Sequence, residues 1–407
     1  MMARKRLNGE GSIYPYEHGF RGYVWVTTPS GRRQRKYVSA KSRPEVVDKL
    51  QAIRSAAARG PVNTKFPTLE SYLDGWLTEV VRPSLAPSTA SNYDLFCRRY
   101  IVQDLGKKRL DRLTVRDVQT WVNALRTRCQ CCAQAKDAAR EKPRCCELGK
   151  CCGQVAAEWT VHQAWMVLRG ALTQAMRDEL VSRNVAALVR VPVPRKKSRT
   201  VWSVDDARKF LESSRSAGDP LHAGYVLMLV LGLRRGELLG LAWEDVDLDG
   251  REARIEWQLQ RVDGQLIRRR TKTSASDAAL PLPDIALDAL KSHQTLEKVS
   301  RLRAGEAWHK SGLVLTTRFG LPLDPRNFHR KFKERAEAAG VPVVSVHSTR
   351  RTCASLLVEL GVHPRVAMTI LRHSQIAVTM DIYSQVTSQS TRDALAQLGS
   401  RLAGGEQ

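Results

Sequence analysis

The spacing of apolar positions changes character along the chain. In the first 60 residues it favours short strands: Gly11 to Tyr16, Gly22 to Thr28 and Gln34 to Ser39. Pro29-Ser30-Gly31 is a turn signal between the last two, and every residue of Tyr23-Val24-Trp25-Val26 is β-prone. A helix is predicted over Pro44 to Arg59, with Ser42 as its cap and Pro44 in its first turn. Gly60 to Lys65 reads as a linker. From residue 67 to 190 the period becomes helical. Leu69, Tyr72, Leu73, Trp76 and Leu77 recur at i, i+3, i+4, i+7 and i+8. A second helix is expected from Ser88, a cap following Pro87, to Tyr100. A third runs from Thr114 to Arg126, with Thr114 as cap and Asp117 three residues on. A fourth covers Thr160 to Glu179, with Val161, Trp165, Leu168, Leu172 and Met176 on one stripe. Arg190 to Thr200 joins prolines to a basic run and reads as a second linker. The remainder, from Val201, is mostly helical with one β interlude. Arg254 to Leu259 alternates, Gly264 turns it, and Leu266 to Arg270 and Ala279 to Leu282 add strands. The fold class expected is mainly α with small β-sheets (α+β): an N-terminal three-stranded sheet plus helix, then a helical domain, then a mixed, mostly helical one.

Charge narrows the partners. The 407 residues carry 66 Lys+Arg against 41 Asp+Glu, a formal net charge of +25. Arginines number 47 and lysines 19. Such an excess disfavours an ordinary metabolic enzyme and favours a polyanion, since guanidinium grips phosphate bidentately. Within residues 1–60, 13 basic residues face 4 acidic ones, with Arg32, Arg33, Arg35 and Lys36 clustered at the predicted hairpin; these are candidate DNA contacts. The longest apolar run, Ala223 to Leu233, is too short to span a bilayer, so no membrane association is expected. The basic start MMARKRLNGEGS has no apolar segment of a signal peptide, and a cytoplasmic location is expected.

In that compartment the nine cysteines should be reduced, which favours metal ligation over disulfides. Seven fall between Cys129 and Cys152 in the pattern C-x-C-C-x12-C-C-x4-C-C: Cys129, Cys131, Cys132, Cys145, Cys146, Cys151 and Cys152. Paired thiolates across such a loop suit a structural zinc site. Cys129, Cys132, Cys146 and Cys151 are the candidate ligands, although the spacing itself does not single out four. Iron–sulfur ligation is the less favoured alternative.

The other chemistry-bearing text lies late in the chain. In VLGLRRGELLGLAWEDV (Val230 to Val246), Arg234 follows the end of an apolar helix, with Glu237 three residues on. Val346-His347-Ser348-Thr349-Arg350-Arg351 places His347 and Arg350 on one helical face. Leu371-Arg372-His373-Ser374 and Thr379-Met380-Asp381-Ile382-Tyr383-Ser384 follow. Tyr225, the one other tyrosine after residue 200, sits inside an apolar run. No phosphate-loop lysine motif and no carboxylate cluster of the two-metal kind is evident.

In order and spacing these pieces resemble the tyrosine recombinases, the phage-type integrases. The pattern is Arg234, Lys272, His347 with Arg350, His373 and Tyr383, and G-L-R-R-G-E-L-L-G-L-x-W, T-K-T, L-P-L and L-x-H-S before Y-S agree with it. The cysteine-rich insertion resembles that of integrases from actinobacterial mobile elements. There are departures: Arg372 stands where glycine usually precedes the second histidine, Arg351 where a histidine often follows the arginine, Thr349 where leucine is common, and Leu231 where threonine often precedes the glycine. The resemblance implies an arm-type DNA-binding domain at 1–60, a helical core-binding domain at 66–190 with its cysteine-rich insertion at 127–158, a basic linker at 191–200, and a catalytic domain at 201–407.

It also implies the chemistry. Arg234 and Arg350 would neutralise the phosphate, His373 would add a hydrogen bond, Tyr383 would attack, His347 would accept its proton, and Lys272 would protonate the leaving 5′-oxygen. The product would be a 3′-phosphotyrosine, with no cofactor needed for catalysis. Expected partners are double-stranded DNA at attachment sites, a homotetramer on DNA, and an excisionase or host DNA-bending factor, in the bacterial nucleoid. Leu395, Leu398 and Leu402 mark a terminal helix that could pack on a neighbour. A type IB topoisomerase-like enzyme and a catalytically silent DNA-binding regulator are the alternatives.

Overall fold

The computed structural model describes residues 12–28, 31–195, 200–271, 278–372 and 375–383. The chain forms two compact units, Met1–Arg195 and Lys196–Gln407. Lys272, His373 and the tail with Leu395, Leu398 and Leu402 lie outside the described residues.

The first unit opens with an antiparallel sheet in the order β1 (Ser12–Tyr16), β2 (Gly19–Thr27), β3 (Arg33–Ala40). Helix α1 (Arg43–Arg59) covers one face, and Val24, Val26, Val46 and Leu50 are buried between them. Ser42 occupies the cap position of α1 but makes no side-chain cap bond. The strand period of two sends Arg21, Tyr23, Trp25, Arg33, Arg35 and Tyr37 to the face opposite that core.

A helical bundle follows: α2 (Leu69–Trp76), α3 (Pro87–Phe96), α4 (Val115–Thr127) and α5 (Glu158–Arg177). Its core gathers Leu69, Leu73, Trp76, Trp121, Trp165, Leu168 and Leu172. The buried indoles keep their polar edges satisfied. Trp121 donates to the Tyr100 carbonyl at 2.7 Å and Trp165 to that of Ala186 at 2.9 Å. Thr114 and Asp117 form the reciprocal capping box that starts α4. Two details differ from the sequence pattern. Pro87 takes the first position of α3, where its fixed φ costs nothing, so Ser88 lies inside the helix and Ala86 caps it. Met176 is 41 % exposed, because the stripe of α5 drifts and buries Ala175 instead.

The second unit contains α6 (Val204–Ser216), α7 (His222–Val230) and α8 (Arg235–Gly240), then strands β4 (Val246–Asp247), β5 (Glu252–Ile255), β6 (Trp257–Val262), β7 (Gln265–Arg270) and β8 (Ala278–Pro281). Helices α9 (Asp284–Ala304), α10 (Pro325–Ala338), α11 (Val346–Glu359), α12 (Pro364–Leu371) and α13 (Ile376–Tyr383) complete it. The alternating run Arg254 to Leu259 is not one strand. It breaks at Glu256, so that β5 pairs with β4 and β8 while β6 forms a separate hairpin with β7. Glu256 serves the break: its carbonyl accepts from the Thr271 N–H at 2.8 Å, and its carboxylate faces Arg254 and Arg270. An aromatic knot of Trp202, Phe210, Tyr225, Phe328 and Phe332 anchors the main core.

Candidate functional site

The arginine site is assembled where three chain reversals meet. Helix α7 ends at Val230, and Gly232 adopts φ +59 to turn the chain back. A side chain there is disfavoured twice over, by the left-handed backbone and because a Cβ would lie 2.7 Å from a Leu371 methyl, which would have to shift. The turn delivers Arg234 as the residue capping α8. Its backbone N–H donates to Glu237 Oε2 at 2.9 Å and its guanidinium to Oε1 at 2.5 Å. The three-residue spacing read from the sequence is thus closed by a helix start. Arg234 keeps 37 % of its side chain exposed, so it is fastened from behind and open in front.

Arg350 comes from the first turns of α11, which Ser345 caps by accepting from the Ser348 N–H. It is buried and donates to the Gly232 carbonyl at 2.7 Å and to the Leu371 carbonyl. Burial first, and the neighbouring Arg234 next, pull this guanidinium down to about 9, which still leaves it charged at neutral pH. His347 lies one turn earlier and is exposed. Helix α13, whose last residue is Tyr383, packs against α12 and against α11, the helix that carries both His347 and Arg350.

Arg372 was noted in the sequence only as a departure; the structure gives it a charge role. It ends α12 in the left-handed conformation, φ 51 and ψ 51, where glycine would be unstrained. Its guanidinium is wholly buried, 2.9 Å from Glu237 Oε2 and 3.0 Å from the Ile370 carbonyl. Its own carbonyl accepts from Arg234 at 3.4 Å. Glu237 is therefore a single buried carboxylate shared by Arg234 and Arg372. Burial alone would push its pKa up; Arg372 and then Arg234 reverse that and hold it below the usual carboxyl range. The signal available in sequence was an arginine where the resembling family places glycine. The result is one buried carboxylate paired with two guanidiniums, with Arg350 close enough to feel their charge while it bonds to the Gly232 and Leu371 carbonyls.

Tyr225, the other tyrosine of this unit, packs on Phe210, Phe328 and Phe332, and burial pushes its phenol strongly upward. It is core.

Of the four basic residues predicted at the N-terminal hairpin, three remain on or beside the open face: Arg32 is exposed, Arg33 stacks on Trp25, and Arg35 stacks on Tyr23 and Trp25 at 4.9 Å. Lys36 lies on the other face, donating to the Asn63 carbonyl at 2.8 Å, as its odd-even offset from Arg35 requires. The exposed aromatics Tyr14, Tyr16, Trp25 and Tyr37 share the face with Arg21, Arg33 and Arg35, and were not singled out as contact residues beforehand. The period-two offset of Tyr23 and Trp25 from Val24 and Val26 was the signal.

The four cysteines expected as ligands converge. The sulfurs of Cys129, Cys132, Cys146 and Cys151 lie within 4.8 Å of one another, and so do those of Cys131, Cys145, Cys146 and Cys152.

The phage integrase family profile matches residues 203–390, and that of the integrase N-terminal SAM-like domain matches residues 68–126. The chain is 26% identical over 402 residues to a XerC-like tyrosine recombinase of Caldanaerobacter subterraneus subsp. tengcongensis, covering 92% of this chain and 95% of that protein. It is 26% identical to an integrase of Streptomyces ambofaciens, covering 94% of each chain. Against tyrosine recombinase XerC of Mycobacterium sp. (strain KMS) the identity is 30% over 232 residues, 55% of this chain and 68% of that protein. Among solved structures, the Tn1549 transposon integrase in complex with transposon right end DNA superimposes with a TM-score of 0.63 at 17% identity, covering 82% of this chain and 99% of that one. The lambda integrase dimer bound to a COC′ core site gives 0.51 at 17% identity, covering 95% and 99%. No helix among the described residues is long and apolar enough to cross a membrane. The order of motifs, the arginine site and these likenesses agree: the chain belongs to the phage integrase family and is a tyrosine-type site-specific recombinase.

Proposed function

We propose that the protein cleaves and rejoins DNA at attachment sites through Tyr383, integrating a phage or mobile element into a bacterial chromosome. The observation that carries this is the guanidinium cluster around Glu237, with Arg234 open to solvent and the helix ending in Tyr383 packed on the same elements. Arg234 and Arg350 neutralise the scissile phosphate as charge grows on its nonbridging oxygens. The Tyr383 phenol oxygen forms the bond to phosphorus and gives up its proton, for which His347 is the acceptor. The phosphorus–O5′ bond breaks, and Lys272 returns a proton to the leaving oxygen. His373 donates a hydrogen bond to the phosphate. The 3′-phosphotyrosine retains the energy of the ester, so a hydroxyl from a second strand reverses the step, and no cofactor enters the chemistry.

Residues 1–60 serve as an arm-type module, residues 66–190 as a core-binding domain, residues 191–200 as the linker and residues 201–407 as the catalytic domain. Two duplexes and four cleavages imply a homotetramer on DNA; the lambda integrase neighbour is itself a dimer on a core site. An excisionase or a host DNA-bending factor would set direction, and the nucleoid is the place of action. A nicked suicide substrate tests the reading. Wild-type protein should be trapped covalently and should join two duplexes, whereas Tyr383→Phe should bind DNA equally well and form no adduct. An adduct in the variant would overturn the assignment, and relaxation of supercoils without joining would mark a topoisomerase-like enzyme.

A further inference from the structure

Between α4 and α5 the chain from Cys129 to Cys152 folds without an apolar core. Its one large aliphatic side chain, Leu148, is 59 % exposed. The ends are clasped to the bundle by backbone bonds from Gln130 to Gln154 and from Ala156 to Leu125. Inside, the buried carboxylate of Asp137 accepts the N–H groups of Cys145 at 2.8 Å, Arg144 at 3.0 Å and Glu147 at 3.2 Å, which fixes the turn carrying Cys145 and Cys146. What remains to hold the segment is sulfur.

We propose that these seven cysteines bind two divalent zinc ions in one thiolate cluster, with Cys146 bridging them. Four thiolates at a zinc–sulfur distance of about 2.3 Å stand about 3.8 Å apart on the edges of a tetrahedron. Sulfur pairs lie at that spacing within each set, Cys132–Cys151 at 3.6 Å and Cys129–Cys146 at 3.9 Å in one, Cys146–Cys152 at 3.7 Å and Cys131–Cys145 at 3.9 Å in the other, and the two sets abut, with Cys129 3.7 Å from Cys152. A disulfide needs about 2.05 Å, and all seven thiols are free.

The count then closes. Each set contains four sulfurs, the sets share Cys146 and no other, and together they use every cysteine of the segment. Two separate four-thiolate sites would need eight, so one sulfur must serve both ions. Cys146 also accepts the Cys152 N–H at 3.5 Å, a bond that supports a thiolate there. Seven thiolates with two divalent ions leave three negative charges, and the segment's five basic residues (Lys136, Arg140, Lys142, Arg144 and Lys150) against three acidic ones (Asp137, Glu141 and Glu147) leave a net +2 that offsets most of them. An all-sulfur tetrahedral set selects zinc or iron–sulfur clusters, and the measurements below separate these.

Full-length protein purified without chelators should contain two zinc ions per chain by elemental analysis. After stripping under reducing conditions, cobalt(II) should restore tetrahedral thiolate absorption with an endpoint at two ions per chain. That titration needs no variant and therefore does not depend on a mutant folding. X-ray absorption on the zinc protein should show sulfur-only ligation and a second metal about 3–4 Å away, as one bridging sulfur requires. In chelator competition, Cys132→Ser should weaken one ion and Cys146→Ser both. An endpoint of one or zero, iron with acid-labile sulfide, or weakening of a single ion by Cys146→Ser would each overturn the bridged pair.

Discussion

Arg372→Gly tests whether the shared carboxylate matters more than the backbone it strains. Two effects oppose each other. Arg372 sits at φ 51, and glycine there would relieve about 1 kcal/mol of left-handed strain. The same change deletes a guanidinium of 0% side-chain exposure from a 2.9 Å pair with Glu237, itself 3% exposed. Removing one partner of a buried pair costs about 3–5 kcal/mol. The lower end applies, because Glu237 keeps the guanidinium and the backbone N–H of Arg234. The balance is a loss of about 2 kcal/mol, which for a unit of this size lowers the melting temperature by about 4–8 °C. Calorimetry of the full-length protein reads the transition of the second unit directly. Arg372→Lys should fall further than a simple charge count suggests, since lysine keeps the strain but cannot reach both Glu237 and the Ile370 carbonyl with a planar fork. A melting temperature that rises in Arg372→Gly would show that the pair is worth less than the strain, refuting the account given of Glu237.

Two further outcomes are expected. The Glu237 carboxyl is held below its ordinary value, so its stabilisation is complete above the unfolded-chain pKa near about 4.3 and is lost as pH falls through the lower folded value; Glu237→Gln should be less stable than wild type at pH 7 by chemical denaturation, with the gap closing toward pH 3, and a pH-independent gap would sink this. On duplexes bearing an arm-type site, Arg35→Ala should reduce the dependence of log affinity on log salt by about one unit of slope, whereas Lys36→Ala, tied to the Asn63 carbonyl on the opposite face, should leave the slope unchanged; equal slopes for both variants would show that this face does not meet phosphate.

Much of this protein is legible along the chain because its signals are local. Apolar period alone separates the N-terminal sheet from the helical stretches, Thr114 and Asp117 announce a helix start within four residues, and the order of Arg234, His347, Arg350 and Tyr383 resembles that of the tyrosine recombinases, a resemblance that implies phosphoryl transfer. Strand periodicity likewise contains the answer for Lys36 once the pairing of Trp25 with Arg35 is known. What lies beyond reach are the relations set by chain closure. Glu237 and Arg372 are 135 residues apart, and nothing in the text near either says that one buried carboxylate will serve two arginines. Arg254 to Leu259 alternates without interruption, yet its two halves join different sheets, because pairing depends on where β7 and β8 return. The cysteine spacing suggests a tetrahedral site but leaves open which thiols meet; only the folded loop, fastened at Asp137, sorts seven sulfurs into two sets with one in common. A sequence determines which groups a segment can present and on which face. The long-range packing of segments that are strangers in sequence decides which of those groups share a charge, a proton or a metal.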